Sequence, residues 1–188
     1  MTPSDLANLL RERFGNSVAQ KSPDVWQIET QGFRLLIVLS SDFSWLRLLL
    51  AIAPASQAAP YLEFLMEANF DRTQEVRYAL NQGVLWAVFQ HNLTSLTADD
   101  LDSAILRTLS LAKTGLNDSF NHLTEQRLRQ IIQAAKQQGL TLKATLQNLT
   151  RLYEEGMLGD LEQSSDEKNQ FLAAWEYQLQ RLWPEVEA

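Results

Sequence analysis

Hydrophobic positions in the first third of the chain recur in two rhythms. Leu6, Leu9, Leu10 and Phe14 keep the three-and-four spacing of a single helical stripe, which Gly15 ends. Ahead of them, Thr2-Pro3-Ser4-Asp5 offers a capping threonine, a proline at the first helical position and an acid three residues after the cap. From Val25 the period falls to two. Val25 to Thr30, the dipeptide Gln31-Gly32 and the run from Phe33 read as a hairpin in which Trp26 faces Ile37 and Ile28 faces Leu35. That register gathers Trp26, Ile28, Phe33, Leu35, Ile37 and Leu39 on one face. After a loop at Ser40 to Ser44, a third strand continues it through Leu46, Leu48, Leu50 and Ile52.

The opposite face is predicted to carry Val25, Gln27, Glu29, Arg34, Leu36, Val38, Trp45, Arg47, Leu49 and Ala51. A sheet face turned to water is mostly polar. This one mixes a tryptophan and large aliphatics with arginines, so a neighbour other than water is expected on part of it. Leu36, Val38, Trp45, Arg47 and Leu49 are therefore the candidate partner-binding residues.

Pro54 stops the third strand, and Ser56 to Phe70 reads as a second helix with Leu62, Leu65, Met66 and Phe70 on one stripe. Glu75 to Leu80 and Val84 to Gln90 then form a second hairpin about Asn81-Gln82-Gly83. With a three-residue loop, Tyr78 faces Trp86 and Val76 faces Val88, and Trp86 joins Trp26 on the core side. Thr97-Ala98-Asp99-Asp100 is a capping box that opens a third helix through Leu101, Ile105 and Leu109 to about Gly115.

Beyond Asn117 the pattern is helical only. Thr124 to Gln138 carries Leu128, Ile131, Ile132 and Ala135, and Thr141 to Glu155 carries Leu142, Leu146, Leu149 and Tyr153. A last helix, capped by Ser164-Ser165-Asp166-Glu167, bears Phe171, Leu172, Trp175, Leu179 and Leu182. The class is therefore α+β: helix, three-stranded antiparallel meander, helix, β-hairpin and helix over residues 1–117, followed by an all-helical C-terminal extension of three helices over residues 118–188. Trp175 and Trp183 belong to the last helix and its end, and are added to the candidate partner-binding residues.

Composition narrows the function. The 188 residues are 45% hydrophobic, with 16 basic against 23 acidic side chains and a net charge of −7. An acidic chain lacks the cationic face that nucleic acid or an anionic membrane demands. Residues 153–188 alone hold nine acids and two basic residues, a solvated face or a docking surface for a basic partner. Phe33 to Ala53 is long enough to suggest a membrane span, but Arg34, Asp42 and Arg47 would each cost about 2.5–3.5 kcal/mol in hydrocarbon. The chain has no cysteine, which fits a reducing compartment, and its first residues lack the basic start and apolar core of a signal peptide. A cytoplasmic protein is expected, in which the three sequons at Asn92, Asn117 and Asn148 carry no meaning.

No residue set nominates a chemistry. His91 and His122 have no second histidine or carboxylate companion at metal-ligand or general-base spacing, and read as ordinary polar residues. Asp99, Asp100 and Asp102 could attract magnesium, but acids at a helix start already serve the cap and the helix dipole. The seven glycines are scattered and form no phosphate loop. No cofactor and no enzyme activity is expected.

The stretches LANLLRERFG, WQIETQGFRLLIVLSSDFSWLRLLLAIAP, YLEFLMEANF, EVRYALNQGVLWAVFQHNL and TADDLDSAILRTLSLA, in that order, resemble the type III secretion chaperone-like fold of the CesT (Tir chaperone) and YbjN families over about residues 1–115. The likeness lies in element order and hydrophobic pattern. It implies a homodimer that holds an unfolded segment of a client along apolar grooves without nucleotide. The helices after Asn117 depart from the usual family length. The first expectation is thus a non-enzymatic protein-binding chaperone or adaptor. The alternatives are a small-ligand binder or enzyme with a pocket between the sheet and the C-terminal helices, and a structural subunit of a larger assembly.

Overall fold

A computed structural model describes residues 1–155 and 165–187. The chain divides into two compact units, Met1–Phe120 and Asn121–Ala188. The first holds α1 (Pro3–Phe14), β1 (Val18–Ser22), β2 (Val25–Glu29), β3 (Arg34–Leu39), β4 (Trp45–Pro54), α2 (Ala55–Ala58), α3 (Leu62–Asp71), β5 (Arg77–Asn81), β6 (Val84–Asn92) and the start of α4 (Ala98–Gln137). The second holds the rest of α4 with α5 (Leu142–Glu154) and α6 (Ser165–Leu182). The fold is α+β, and its six strands form one antiparallel sheet in the order β1-β2-β3-β4-β6-β5. Among the described residues no helix is long and apolar enough to cross a membrane.

Both capping boxes close as the sequence demands. Thr2 Oγ1 accepts the Asp5 amide while the Asp5 carboxylate accepts the Thr2 amide at 2.9 Å. Thr97 and Asp100 repeat the exchange at the start of α4. The first hairpin has the expected register, with Trp26 opposite Ile37 and Ile28 opposite Leu35, and β3 then pairs Ile37 with Leu48. The resulting face is fully covered. Leu6 and Leu10 of α1 and Leu101, Ala104 and Ile105 of α4 pack on Trp26, Ile28, Leu35, Ile37, Leu46, Leu48 and Phe89. Arg13 of α1 and Asp102 of α4 form an ion pair beside this core.

Five expectations are corrected. The meander has four strands, because β1 precedes it. Its sequence, VAQKS, is polar enough for an exposed edge and so gives no alternation to read. The second hairpin has a two-residue loop, since Asn81 pairs with Val84 and both Gln82 (φ 49°) and Gly83 (φ 75°) take left-handed backbone. The one-residue change leaves Tyr78 in the core opposite Ala87 and moves Trp86 and Val88 to the other face. In β4 a bulge at Ile52 breaks the alternation, and buried Ala53 becomes the partner of Leu85. The second helix is broken by a 3-10 turn at Ala59–Tyr61 around Pro60, which supplies no amide hydrogen. Its stripe splits, with Leu65 buried while Met66 and Phe70 are exposed. Lastly, α4 runs unbroken through Gly115 and Asn117, where a stop was expected.

In the second unit Leu128, Ile132, Leu149, Leu179 and Leu182 form a small core. Glu125 accepts from both Arg129 and Arg181, and Arg129 reaches Glu185. The expected cap at Ser164 to Glu167 lies outside the described residues.

Candidate protein-binding face

All helices of the first unit that enter its core lie on one side of the sheet. On the other side β3, β4 and β6 bring side chains together in register: Leu36 opposite Leu49, Val38 opposite Arg47, Leu49 opposite Val88, and Ala51 opposite Trp86. Leu36, Val38, Leu49, Trp86 and Val88 are half-buried, and Trp45 is 38% exposed. Five of the seven candidate residues, Leu36, Val38, Trp45, Arg47 and Leu49, thus share one open surface. The other two, Trp175 and Trp183, belong to the second unit, where they pack against its core. Lys136 lies 5.4 Å above the Trp183 ring and donates to the Val186 carbonyl.

The middle of the face is ordered by Arg47. Its guanidinium stands 4.9 Å over the Trp45 ring and, with the Gln90 amide oxygen turned towards it, donates through Nε and Nη2 at 2.5 Å. A hollow of about 290 Å³ opens beside it, lined by Val38, Leu39, Ser40, Trp45, Arg47 and Leu49. A larger one of about 820 Å³ lies where β3 begins and β4 bulges, with Leu36, Ala51 and Trp86 among its walls. The smaller hollow is apolar and aromatic around the Arg47 guanidinium, whereas the larger opens at the end of the sheet, where Arg34 and, from α4, Leu109, Ala112 and Lys113 complete its walls.

The turn before β4 aims Trp45. Asp42 Oδ1 accepts from Ser40 Oγ at 2.5 Å, from Ser44 Oγ at 2.7 Å and from the Ser44 amide at 3.1 Å, and the Trp45 amide donates to Ser40 Oγ. These bonds, Ser40's first, hold the Asp42 carboxyl down at about 2. At the far end of β3, Arg34 pairs with Glu29 at 2.5 Å and holds that carboxyl below its usual range.

Trp86 and Val88 belong to the face, whereas a three-residue loop would turn them to the other side. The signal that could have found them was Gln82-Gly83 read as a two-residue turn. Among the described residues no group of three histidine, aspartate or glutamate side chains could hold a metal ion. His91 stacks on Phe89, and Asp100 serves its cap.

No protein-family model and no curated protein matches the chain by sequence. Solved structures are similar in architecture at low identity. The ExsC-ExsE complex contains a chain 13% identical, covering 62% of this chain and 96% of its own length, with a TM-score of 0.49. The Yersinia pestis type III secretion chaperone SycH, solved with a stable fragment of YscM2, is 14% identical over 60% of this chain and 97% of that one, with a TM-score of 0.47. The ExoU-SpcU heterodimer from the type III secretion system of Pseudomonas aeruginosa gives 13%, 58%, 93% and 0.48.

Proposed function

We propose that the protein is a non-enzymatic chaperone or adaptor of the cytoplasm that holds a segment of another protein on the open face of its sheet. One observation carries this reading. Leu36, Val38, Trp45, Leu49 and Trp86 form a partly exposed apolar surface on the side of the sheet opposite its buried core. Patches of this kind on soluble chains are interaction sites. Alternating half-buried side chains with shallow hollows between them suit an extended polypeptide, whose own side chains alternate in the same period. The binding role is assigned to residues 1–117, with no nucleotide or cofactor in it.

A second copy of the chain is the partner that α3 suits. Met66 is 48% and Phe70 92% exposed, one helical turn apart on the side turned away from the core. A homodimer through α3 would leave the sheet face to the client.

The experiment is co-purification of the tagged full chain from its native lysate, set beside Trp45→Ala/Leu49→Ser and Phe70→Ser variants. A stoichiometric protein partner lost with the sheet-face variant and kept with Phe70→Ser supports the reading, as does a dimer lost only with Phe70→Ser. A folded sheet-face variant that retains the partner in full refutes it.

A further inference from the structure

Three features of the first unit that have separate local explanations converge on Tyr78 and the small cavity it lines. The first is a glycine inside a helix. A Cβ on Gly115 would sit 2.5 Å from the Tyr78 hydroxyl and 2.9 Å from its ring, so α4 is kept bare where that ring lies against it. The second is Tyr78 itself. It is 6% exposed, its backbone is fastened to the Asn69 side chain at 2.8 and 3.0 Å, and its hydroxyl makes no hydrogen bond among the described residues. The hydroxyl keeps accessible surface where Tyr78 lines the cavity, so a partner can reach it there. The third is Gln74, held at φ 56° in the left-handed region that a branched-off side chain disfavours.

Tyr78 and Gln74 line a cavity of about 320 Å³ between α3, the turn before β5, and α4, and Gly115 lies behind the Tyr78 ring. Its walls divide by chemistry. Phe64, Ala68 and Leu111 are apolar; Arg72, Arg107 and Asp118 are charged; Thr73, Ser110 and Thr114 are hydroxylic. Arg72 lies 4.4 Å over the Phe64 ring and has no carboxylate partner among the described residues. Arg107 is bonded to Glu75 at 3.0 Å. Burial, and after it the charge of Asp118, pushes the Tyr78 hydroxyl up to about 12; like any tyrosine it is protonated at neutral pH and can donate to an acceptor.

The geometry points to a binding site for a small organic carboxylate, whose carboxylate accepts from Arg72 and the Tyr78 hydroxyl and whose apolar body lies against Phe64, Ala68 and Leu111. Arg72 is the group that an anion can engage. Arg107 is already paired with Glu75, Asp118 is the remaining wall carboxylate, and Arg72 is the one wall guanidinium without an ion-pair partner among the described residues. A dianion such as phosphate would carry its second charge towards Asp118 and would leave the apolar wall unfilled. The volume lies at the small end of the range for small-molecule sites. Such a group can come from a free metabolite or from the C-terminus of a polypeptide, and both present the same chemistry. The site is remote from the sheet face in its residues, and it stands or falls independently of client binding.

The test is amide-resolved NMR titration of the full chain with phenylacetate. Phenylacetamide serves as the neutral isostere, inorganic phosphate as the dianion, and an N-acetylated peptide ending in Phe as the chain-end form. Saturable shifts at Thr73, Tyr78 and Ser110 with phenylacetate are expected, with phenylacetamide about tenfold weaker, the loss of one charge-assisted hydrogen bond. Tyr78→Phe, which preserves the ring, and Arg72→Gln should each weaken phenylacetate by about tenfold while leaving the remaining spectrum unchanged. Tighter binding of the peptide than of phenylacetate would assign the carboxylate to a chain end, and weaker binding to a free molecule. Absence of saturation at millimolar phenylacetate, equal binding of the amide, preference for phosphate, or indifference to both substitutions would each overturn the assignment.

Discussion

The two faces of the sheet are built from the same strands and nearly the same residue types, yet they meet different surroundings. In β3 and β4, Leu35, Ile37, Leu46 and Leu48 are wholly buried, whereas Leu36, Val38 and Leu49, their immediate neighbours in the chain, are half-buried. Hydrophobicity therefore does not separate the faces. The helices do, since α1 and α4 bring complementary stripes to one side only. A leucine on the covered side contributes by filling space between elements. One on the open side is held chiefly by its cross-strand neighbours.

The largest test of that difference is a pair of adjacent substitutions. Leu48→Ala should lower the unfolding free energy by about 2–5 kcal/mol, because it leaves a cavity between sheet and helices. Leu49→Ala should lower it by less than about 1 kcal/mol. Denaturant unfolding of the two variants measures both. Equal losses would mean that the open face is covered in solution, and the comparison would fail. Next in size is Gly115→Ala. In an unconstrained helix this change gains about 1 kcal/mol. Here the added methyl meets the Tyr78 ring, whose backbone is fastened to Asn69, and a net loss of about 1–3 kcal/mol is expected. A net gain in thermal stability would show that the ring moves aside freely. Smaller still is Arg47→Met, which removes the cation over Trp45 and the bonds to Gln90. Stability should change by about 1 kcal/mol or less. Any partner of the open face should bind with altered salt dependence, read by titration at two ionic strengths.

Much of this architecture was legible where local signals agreed. Thr2 and Thr97, each with an acid three residues on, named two helix starts, and Gln31-Gly32 set the register that placed Trp26 and Ile28 in the core. The open face was legible for a related reason. Alternation must fail somewhere when both parities are apolar, and Leu36, Val38 and Leu49 marked the place. What escaped was fixed by non-local packing. Nothing in VAQKS announces a strand until β2 offers its edge. Gly115 looks like a helix stop until Tyr78 explains the missing side chain. Asn81-Gln82-Gly83 allows two loop lengths, and the wrong one sent Trp86 to the wrong face, because a shift of one residue inverts every side chain after it.

The finest difference between the faces concerns acid. Trp45 is aimed by a turn whose hydrogen bonds converge on the Asp42 carboxylate, whereas Trp26 on the covered face is held by packing alone. A carboxyl held at about 2 in the folded chain, against about 3.9 when unfolded, contributes stability that is complete above about pH 4 and is lost as the pH falls towards 2. The stability advantage of the wild type over Asp42→Asn should accordingly shrink across that interval and stay constant above it. Because the group is fully exposed, the local response is the better reporter. The Ser44 amide and the Trp45 indole resonances should move together with a midpoint near 2, and the Trp26 indole should not follow them while the chain remains folded. A Ser44 midpoint near 4 would show that the turn does not hold its carboxylate. The orientation of Trp45 on the open face would then have to come from Arg47 alone.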